Sequence, residues 1–468
     1  MTLATLPRML RAAVPPRLRV LARPEPASPQ PPASGGGFRR GFAAMSYRNY
    51  RLYFVGQVIS LVGTWMQSVS LPWLVLLLGG SPLELGTVLA LQFAPATFLA
   101  PLGGVLADRI DKRKVLIVAQ AGAMLEAGLL FGLTFAGVIE IWQIMALAVF
   151  RGMVSAVEMP VRQSFAAELV PPADLVNAIA LNSASFNAAR VVGPAVAGVT
   201  LALWGPAFNF GLNAVSFLAV LAGLWMIVPS QLYRQVRPDR FASVRASLSE
   251  GFGYARRTPA VLWPLVLLGG MAALAMNFQT LLPLYARNTL GLGADGYGVL
   301  YAAMGVGSLI GSLSLAFMGS HRPMLRLILA GGAVFVVAEV LLGFTRSALP
   351  AYAVIMVVGF ASMLMVNTIN VTIQNTVTDA LRGRVMSLYV MVFAGSAPIG
   401  GFFAGAIAEV WDAPAAFILG GTLGAGVLAL VSWQLLGHNA ARHAARAAEA
   451  RASLPEADEP HPPAAAGA

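Results

Sequence analysis

The sequence predicts an all-α membrane protein: twelve transmembrane helices in two six-helix, pseudo-symmetric halves around a central cavity. Three observations predict it. Of 468 residues, 57% are hydrophobic and only 11% charged, against about a quarter charged in soluble domains, so a soluble core could not absorb this much apolar sequence. Apolar runs long enough to cross a bilayer, about twenty residues each, recur twelve times. The basic residues alternate with those runs: of 31 Lys and Arg, only Arg287 and Arg346 fall in loops on the second face, and Arg151 and Arg190 fall deep inside spans. A wrong span count would scramble that alternation, and the positive-inside rule then puts both termini on the cytoplasmic side.

Taken in order, residues 1–48 are rich in Pro, Arg, Ala and Gly, with no sustained apolar period. They are predicted to be a disordered cytoplasmic tail. The tail lacks a signal-type apolar core, so no cleavage is expected, and Met45, just before SYRNYRLYF, is a second possible start. The first bundle, 49–229, holds spans at Tyr50–Leu78, Leu85–Ala107, Val115–Gly137, Ile141–Phe165, Leu175–Leu203 and Phe208–Val228. A cytoplasmic linker, 230–259, contains SVRASLSEGFGYARRTP, which reads as an amphipathic surface helix. The second bundle, 260–437, holds Ala260–Tyr285, Tyr297–Met318, Met324–Phe344, Leu349–Thr376, Val385–Val410 and Ala415–Leu436. The polar, Ala-rich tail 438–468 is expected to be frayed helix, then disordered, on the cytoplasmic side. Six spans, a basic linker and six spans predict two parallel repeats, with a substrate site between them near the midplane.

The loop between spans two and three, GGVLADRIDKRK (103–114), carries two carboxylates and four cations in seven residues. Such charges cannot stay in hydrocarbon, so this is a tight turn at the cytoplasmic face. Four ionisable residues lie deep in spans, where charge is costly and functional by default: Glu126, Arg151, Arg190 and Glu339. At 1.5 Å per residue, Glu126 and Arg151 both fall near the midplane, and an ion pair between them is expected. In span four Arg151, Ser155, Glu158 and Arg162 share a face, so Glu158 can pair with Arg162 of its own helix. In span five Ser183, Asn187, Arg190 and Pro194 form a similar stripe. Glu339 has no obvious partner of opposite sign. Glu126, Arg151, Glu158, Arg190 and Glu339 are the candidates for coupling transport to protons, weighed against static packing bridges. Uncharged polar stripes also occur in span one (Gln57, Ser60, Thr64, Gln67), span seven (Asn277, Thr280) and span ten (Asn367, Asn370, Gln374).

Composition also excludes. There is no cysteine, hence no disulfide and no thiolate metal site. No HExxH, GxSxG or GxxxxGK[ST] occurs, and the four His (His321, His438, His443, His461) lie in loops or tails. Enzymes and ATP-driven pumps are poorly supported, and no cofactor or metal is expected. The net charge of +11 is accounted for by topology, so nucleic acid is not an expected partner. The expected partners are a small-molecule substrate, protons and the lipid bilayer, with the chain acting as a monomer.

The residues Gly104, Asp108, Arg109, Arg113 and Lys114 fit G-x-x-x-D-R-x-x-x-R-[RK], which resembles the signature loop of the major facilitator superfamily. Where that pattern usually has Gly, this chain has Asp111. Arg151-Gly152 resembles the superfamily's intramembrane Arg motif. Val192-Gly193-Pro194 with Gly198 resembles the motif of its antiporter members. A closer resemblance, to the transmembrane secretion effectors typified by the enterobactin exporter, rests on NYRLYFVGQVISLVGTWMQSV, EMPVRQSFAAELV, LVNAIALNSASFNAARVVGPAVAG and LRGRVMSLYV.

The resemblance implies proton-coupled export of a small amphipathic organic molecule, such as a siderophore, drug or secondary metabolite, by alternating access in a bacterial inner membrane. The alternatives are an importer or lipid flippase of the same fold, or a transport-inactive sensor or assembly partner. It implies that spans one, four, seven and ten line the cavity, with Gln57, Thr64, Trp65, Gln67, Asn187, Asn277, Asn367, Asn370 and Gln374 as candidate lining residues. It implies that Gly193, Pro194 and Gly198 pack span five against span eight and block leak. A helix N-terminus attracts a carboxylate, so Asp108 is expected to face the start of span eleven as a gate, with Arg384 nearby.

Overall fold

A computed structural model describes residues 41–109, 111–233, 244–318 and 324–452. The chain divides into two compact units, 1–43 and 44–468, and every membrane-crossing helix belongs to the second. Among the described residues the regular structure is helical throughout, with no strand. The helices are α1 (Arg48–Leu77), α2 (Pro82–Arg109), α3 (Lys112–Phe135) and α4 (Ile141–Ala166). Next comes Leu175–Met226, a 52-residue helical run that Gly205 divides at φ 75° and ψ 178°. Only glycine takes that backbone conformation without strain, and Pro206 starts the next helix. The run is therefore two spans, α5 (175–204) and α6 (206–226). After the linker come α7 (Val244–Arg257), α8 (Pro259–Leu274), α9 (Phe278–Leu284), α10 (Ala294–Met318), α11 (Met324–Phe344), α12 (Ala348–Thr376), α13 (Asp379–Val410) and α14 (Ala413–Ala452).

Among the described residues eleven helical stretches are long and apolar enough to cross a membrane, one of them, Pro172–Met226, holding both α5 and α6. Another, Pro259–Thr289, is the expected seventh span. It is not continuous. The helix breaks between Leu274 and Phe278, resumes as α9, and ends in a π-helical turn, Tyr285–Thr289. Asn277 donates its side-chain amide back to Ala273 O at 3.2 Å across the break. The expected surface helix of the linker is present as α7.

The turn from α2 to α3 and the ends of α1, α4, α5 and α6 gather at one face, called the basic end below; the other is the far end. At the basic end, α6 is held by cations and an amide that satisfy its last carbonyls. Arg113 donates through Nε to Leu224 O at 2.6 Å and through Nη2 to Trp225 O at 2.8 Å. Arg48 reaches Met226 O, and Asn49 exchanges two bonds with Val228. Asp111 caps α3, accepting from Arg113 N and Lys114 N at 3.0 and 3.3 Å. A glycine would leave those N–H groups unsatisfied, so the departure from the family pattern supplies an N-cap.

Helices α1 to α6 meet α8 to α14 along two seams. On one, α2 packs on α13, where a Cβ added to Gly86 would lie 2.4 Å from Gly401 O and one on Gly405 2.6 Å from Pro82 O. On the other, α5 packs on α10, where a Cβ on Gly198 would lie 2.6 Å from Gly298 Cα. Close backbone approach of this kind needs glycine. The far end is tied further by Trp73 stacked on Tyr297 with centroids 5.1 Å apart and by Leu83 N donating to Glu409. Arg287, on the π turn, donates to Leu76 O at the end of α1. That bond is partly buried and its donor is charged, so it is worth about 1.5–3 kcal/mol. Arg287→Ala is expected to raise far-side maleimide labelling of a Leu85→Cys reporter several-fold. Unchanged labelling would show that the bond does not hold this end.

Candidate functional site

Among the described residues, four sets of buried or half-buried polar groups lie inside the helices. The first centres on Glu126 of α3, 2% exposed. Gln67 of α1 donates through Nε2 to both of its oxygens, at 2.9 and 3.0 Å. Gln67 Oε1 in turn accepts from Asn213 Nδ2 of α6 at 2.7 Å, and Ser216 donates to Asn213 Oδ1. A neighbouring cluster joins Ser70, Asn209 and Thr200: Asn209 Nδ2 donates to Ser70 Oγ, and Thr200 Oγ1 donates to Asn209 Oδ1. These amides fill the α1–α6 contact, where Gly63 lets Asn213 and Ser216 approach.

The second set centres on Glu158 of α4, 5% exposed. Its carboxylate takes Arg151 Nη1 at 3.1 Å, Arg162 Nη1 at 3.5 Å and Gln120 Nε2 of α3 at 3.1 Å. The pairing with Arg162 follows from their spacing, and Arg151 joins it from two turns away. This corrects the expected Glu126–Arg151 bridge: Arg151 bonds Glu158, and Glu126 is held by an amide. Similar depth in the membrane placed both residues at one level, but the helix rotations turn Arg151 along its own helix. Gly152 beside it packs on α2, where a Cβ would lie 2.5 Å from Gln92 O.

The third set centres on Arg190 of α5. Its Nη2 donates to Ser308 Oγ of α10 at 2.5 Å and its Nη1 contacts Met363 Sδ of α12 at 3.3 Å. Among the described residues no carboxylate forms an ion pair with it. The fourth is Glu339 of α11, 0% exposed, with neither oxygen hydrogen-bonded. It faces Gly420 of α14 and the broken end of α8: a Cβ on Gly420 would lie 2.6 Å from Leu274 O and 3.5 Å from Glu339 Oε1.

The expected lining residues divide. Gln57, Gln67 and Asn277 are buried inside helix contacts, at 3, 6 and 7% exposure, because their amides bond or pack between helices. This corrects their placement as open cavity lining. Thr64 bonds back to Ser60 O, and Trp65 packs on Gly193 and on Phe186, ring centroids 5.7 Å apart. Asn187 donates to Ser183 O, and Asn367 donates to Ser312 Oγ at 3.0 Å. Gln374 donates to Asn370 Oδ1 and is exposed near the basic end of α12.

The antiporter-type segment does two things. Gly193 packs on Trp65 of α1, while Pro194 O and Gly198 meet Gly298 of α10. Of the gate residues, Gly104, Asp108 and Arg109 are in the last turns of α2, and their side chains lie outside the described residues. Arg113 caps α6. Arg384 pairs with Glu250 of α7 at 2.5 Å, so the surface helix holds it, and its expected neighbour, the Asp108 side chain, lies outside the described residues. Lys112 pairs with Glu168 at 2.7 Å. Sequence reasoning missed Asn209, Asn213 and Ser216 of α6 and Ser308 and Ser312 of α10. Their three- and four-residue spacings were a visible signal. Two surface depressions, of about 330 and 280 Å³, lie at the far and basic rims, away from these groups.

Comparison with known proteins adds to this geometry. Residues 39–461 match a family model described as transmembrane secretion effector. The chain is 25% identical over 367 residues to the staphyloferrin A transporter of Staphylococcus aureus, covering 77% of this chain and 90% of that protein. It is 25% identical over 349 residues to the enterobactin exporter EntS of Escherichia coli O1:K1, covering 73% and 80%. Two solved structures share the fold: the nucleoside transporter NupG (TM-score 0.63, 12% identity, 83% of this chain and 98% of that one), and a bacterial homolog to the human lysosomal transporter Spinster, captured inward-facing and unoccupied (TM-score 0.62, 14% identity, 83% and 95%).

Proposed function

Because this chain belongs to the transmembrane secretion effectors, multi-pass transporters of the major facilitator type, we propose that it exports a small amphipathic organic molecule in exchange for protons. As a transporter it is not an enzyme. The basic end is the cytoplasmic face, by the positive-inside rule, and the membrane is the bacterial inner membrane. The named contacts between the two sets of six helices lie in the far half of the molecule. The innermost are Arg190 with Ser308 and Met363, and Thr97 Oγ1 with Ala394 O. Closure at the far end and exposed polar residues at the basic end of α12 suit a conformation that admits substrate from the cytoplasm.

The observation that carries proton coupling is a buried carboxylate, Glu126, bonded by an amide and by no cation among the described residues, in the same bundle as the buried pair of Glu158 with Arg151. With both carboxylates ionised, Glu126, Glu158, Arg151 and Arg162 sum to zero. A proton on Glu126 upsets that balance and weakens its hold on the Gln67 amide, which ties α3 to α1 and α6. Protonation thus changes which partners are favoured, and a ligand or proton that prefers one arrangement shifts the population. The siderophore-related names of the two relatives above support an organic metabolite as cargo.

The test is reconstitution in liposomes under an imposed pH gradient, following an amphipathic cationic dye and an amphipathic organic anion, with Glu126→Gln in parallel. Gradient-dependent movement of either compound by the native protein and its loss in Glu126→Gln are expected. Movement that survives the variant would make Glu126 structural and return coupling to Glu158 or Glu339. Movement indifferent to the gradient would overturn proton exchange.

A further inference from the structure

We propose that Arg190 is the anchor for the anionic group of the transported molecule, and that the molecule is an amphipathic aromatic or aliphatic carboxylate. This deepens the export reading above, and rests on it for the word transported. The other cation deep in a span, Arg151, has Glu158. Among the described residues Arg190 has only a serine hydroxyl and a thioether. An arginine keeps its charge in proteins, and half-burying it without an anion is costly. A cation kept there is matched by an anion that comes and goes.

Position supports the same role. The Arg190 backbone sits at the inner end of the α5–α10 seam, where a Cβ on Gly305 would lie 3.0 Å from Arg190 O. Toward the basic end the next turns of α5 are open, with Phe186 42% and Ile179 56% exposed. The side chain crosses from the first six helices to α10 and α12 of the second set. A guanidinium has five N–H donors in a planar fork, and the two contacts above leave donors for a carboxylate, whose bidentate pairing with arginine is strong and directional. Around it stand groups suited to the rest of such a molecule. Phe186, one turn away on α5, forms an edge-to-face aromatic pair with Trp65 of α1. Met363 is polarizable. Asn367 is linked through Ser312 Oγ to the backbone of Ser308. An anion that took Arg190 from Ser308 and Met363 would also remove a tie between the two halves, so binding would bear directly on the seam.

The test is equilibrium binding to the purified full chain in neutral-lipid nanodiscs, with radiolabelled 1-naphthoate and its uncharged methyl ester. Binding needs no gradient, so it stands or falls separately from export. The native protein is expected to bind the acid at least tenfold more tightly than the ester. Arg190→Gln is expected to abolish that preference while keeping ester binding, and Arg190→Lys to retain part of it. Equal binding of acid and ester by the native protein, no binding of the acid, or an Arg190→Gln variant that keeps the preference would each overturn the proposal. Added phosphatidylglycerol that displaces naphthoate at low mole fraction would assign the anion to a lipid headgroup and overturn the small-molecule assignment. A native protein that binds the acid selectively but moves nothing under a gradient would leave this site standing and remove the export reading.

Discussion

Glu158→Gln is expected to lower the stability of the folded protein by about 3–5 kcal/mol, the range for removing one partner from a buried ion pair. The carboxylate is 5% exposed and is bonded by Arg151, Arg162 and Gln120. Without it, two guanidinium groups in the first bundle face each other with no anion between them. Gln can accept from one arginine, but it brings a second amide toward Gln120 and carries no charge. The measurement is the apparent melting temperature in detergent, expected to fall by several degrees, together with the yield of monodisperse protein. Two further variants separate charge from shape. Arg151→Gln alone should be milder, because Arg162 still balances Glu158. The double variant Glu158→Gln with Arg151→Gln should recover part of the loss, the coupling expected of groups in one network. A single variant as stable as the native chain would show that the triad is dispensable packing.

Gly198→Val is expected to abolish efficient transport through the far seam. A Cβ at 198 would lie 2.6 Å from Gly298 Cα and one at 298 would lie 2.3 Å from Gly198 Cα. Both obstacles are backbone, so no side-chain rotation relieves them and the two helices must part. Overpacking of a close contact costs about 1–3 kcal/mol, which in a two-state equilibrium is about a 5- to 150-fold shift. The chain has no cysteine, so a single Leu85→Cys reporter reads that shift directly. Leu85 is 0% exposed and lies at the far end of α2. Its labelling by an impermeant maleimide from the far side should rise by at least tenfold in Gly198→Val, and transport should fall in parallel. A Gly198→Ala variant should show a smaller effect in the same direction. Normal transport with Leu85→Cys still protected would mean that this seam does not need to close.

Much of the architecture is a property that each stretch of chain carries alone. Whether twenty residues prefer hydrocarbon is decided by their own side chains, and the side on which Arg and Lys remain is decided by the membrane. The span at Met324–Phe344 therefore matches the structure to the residue, and others differ by a few residues at their ends. The deep charges Glu126, Arg151, Arg190 and Glu339 were visible for the same reason: each is anomalous where it stands. Asp111 was legible only as a departure from a loop pattern, although a carboxylate directly before a helical run is a local N-cap signal.

What the sequence could not decide was who meets whom. Depth along the membrane is additive in residue number, but pairing depends on how each helix is rotated about its axis and how far a side chain reaches. Glu126 and Arg151 share a level and do not bond. Arg151 reaches two turns along its own helix to Glu158, and Glu126 meets an amide from α1. Gln57, Gln67 and Asn277 carry the residue type of a cavity wall and lie inside helix contacts, because an amide serves either setting. Arg384 matches a gate motif and is held by Glu250 of the surface helix. The sequence by itself determined the membrane class, the span count, the topology signal and the set of costly charges. Only the tertiary structure decided that an amide from another helix holds Glu126 and that Arg190 bridges the two sets of helices with no counterion among the described residues, because those are relations between helices that no single helix encodes.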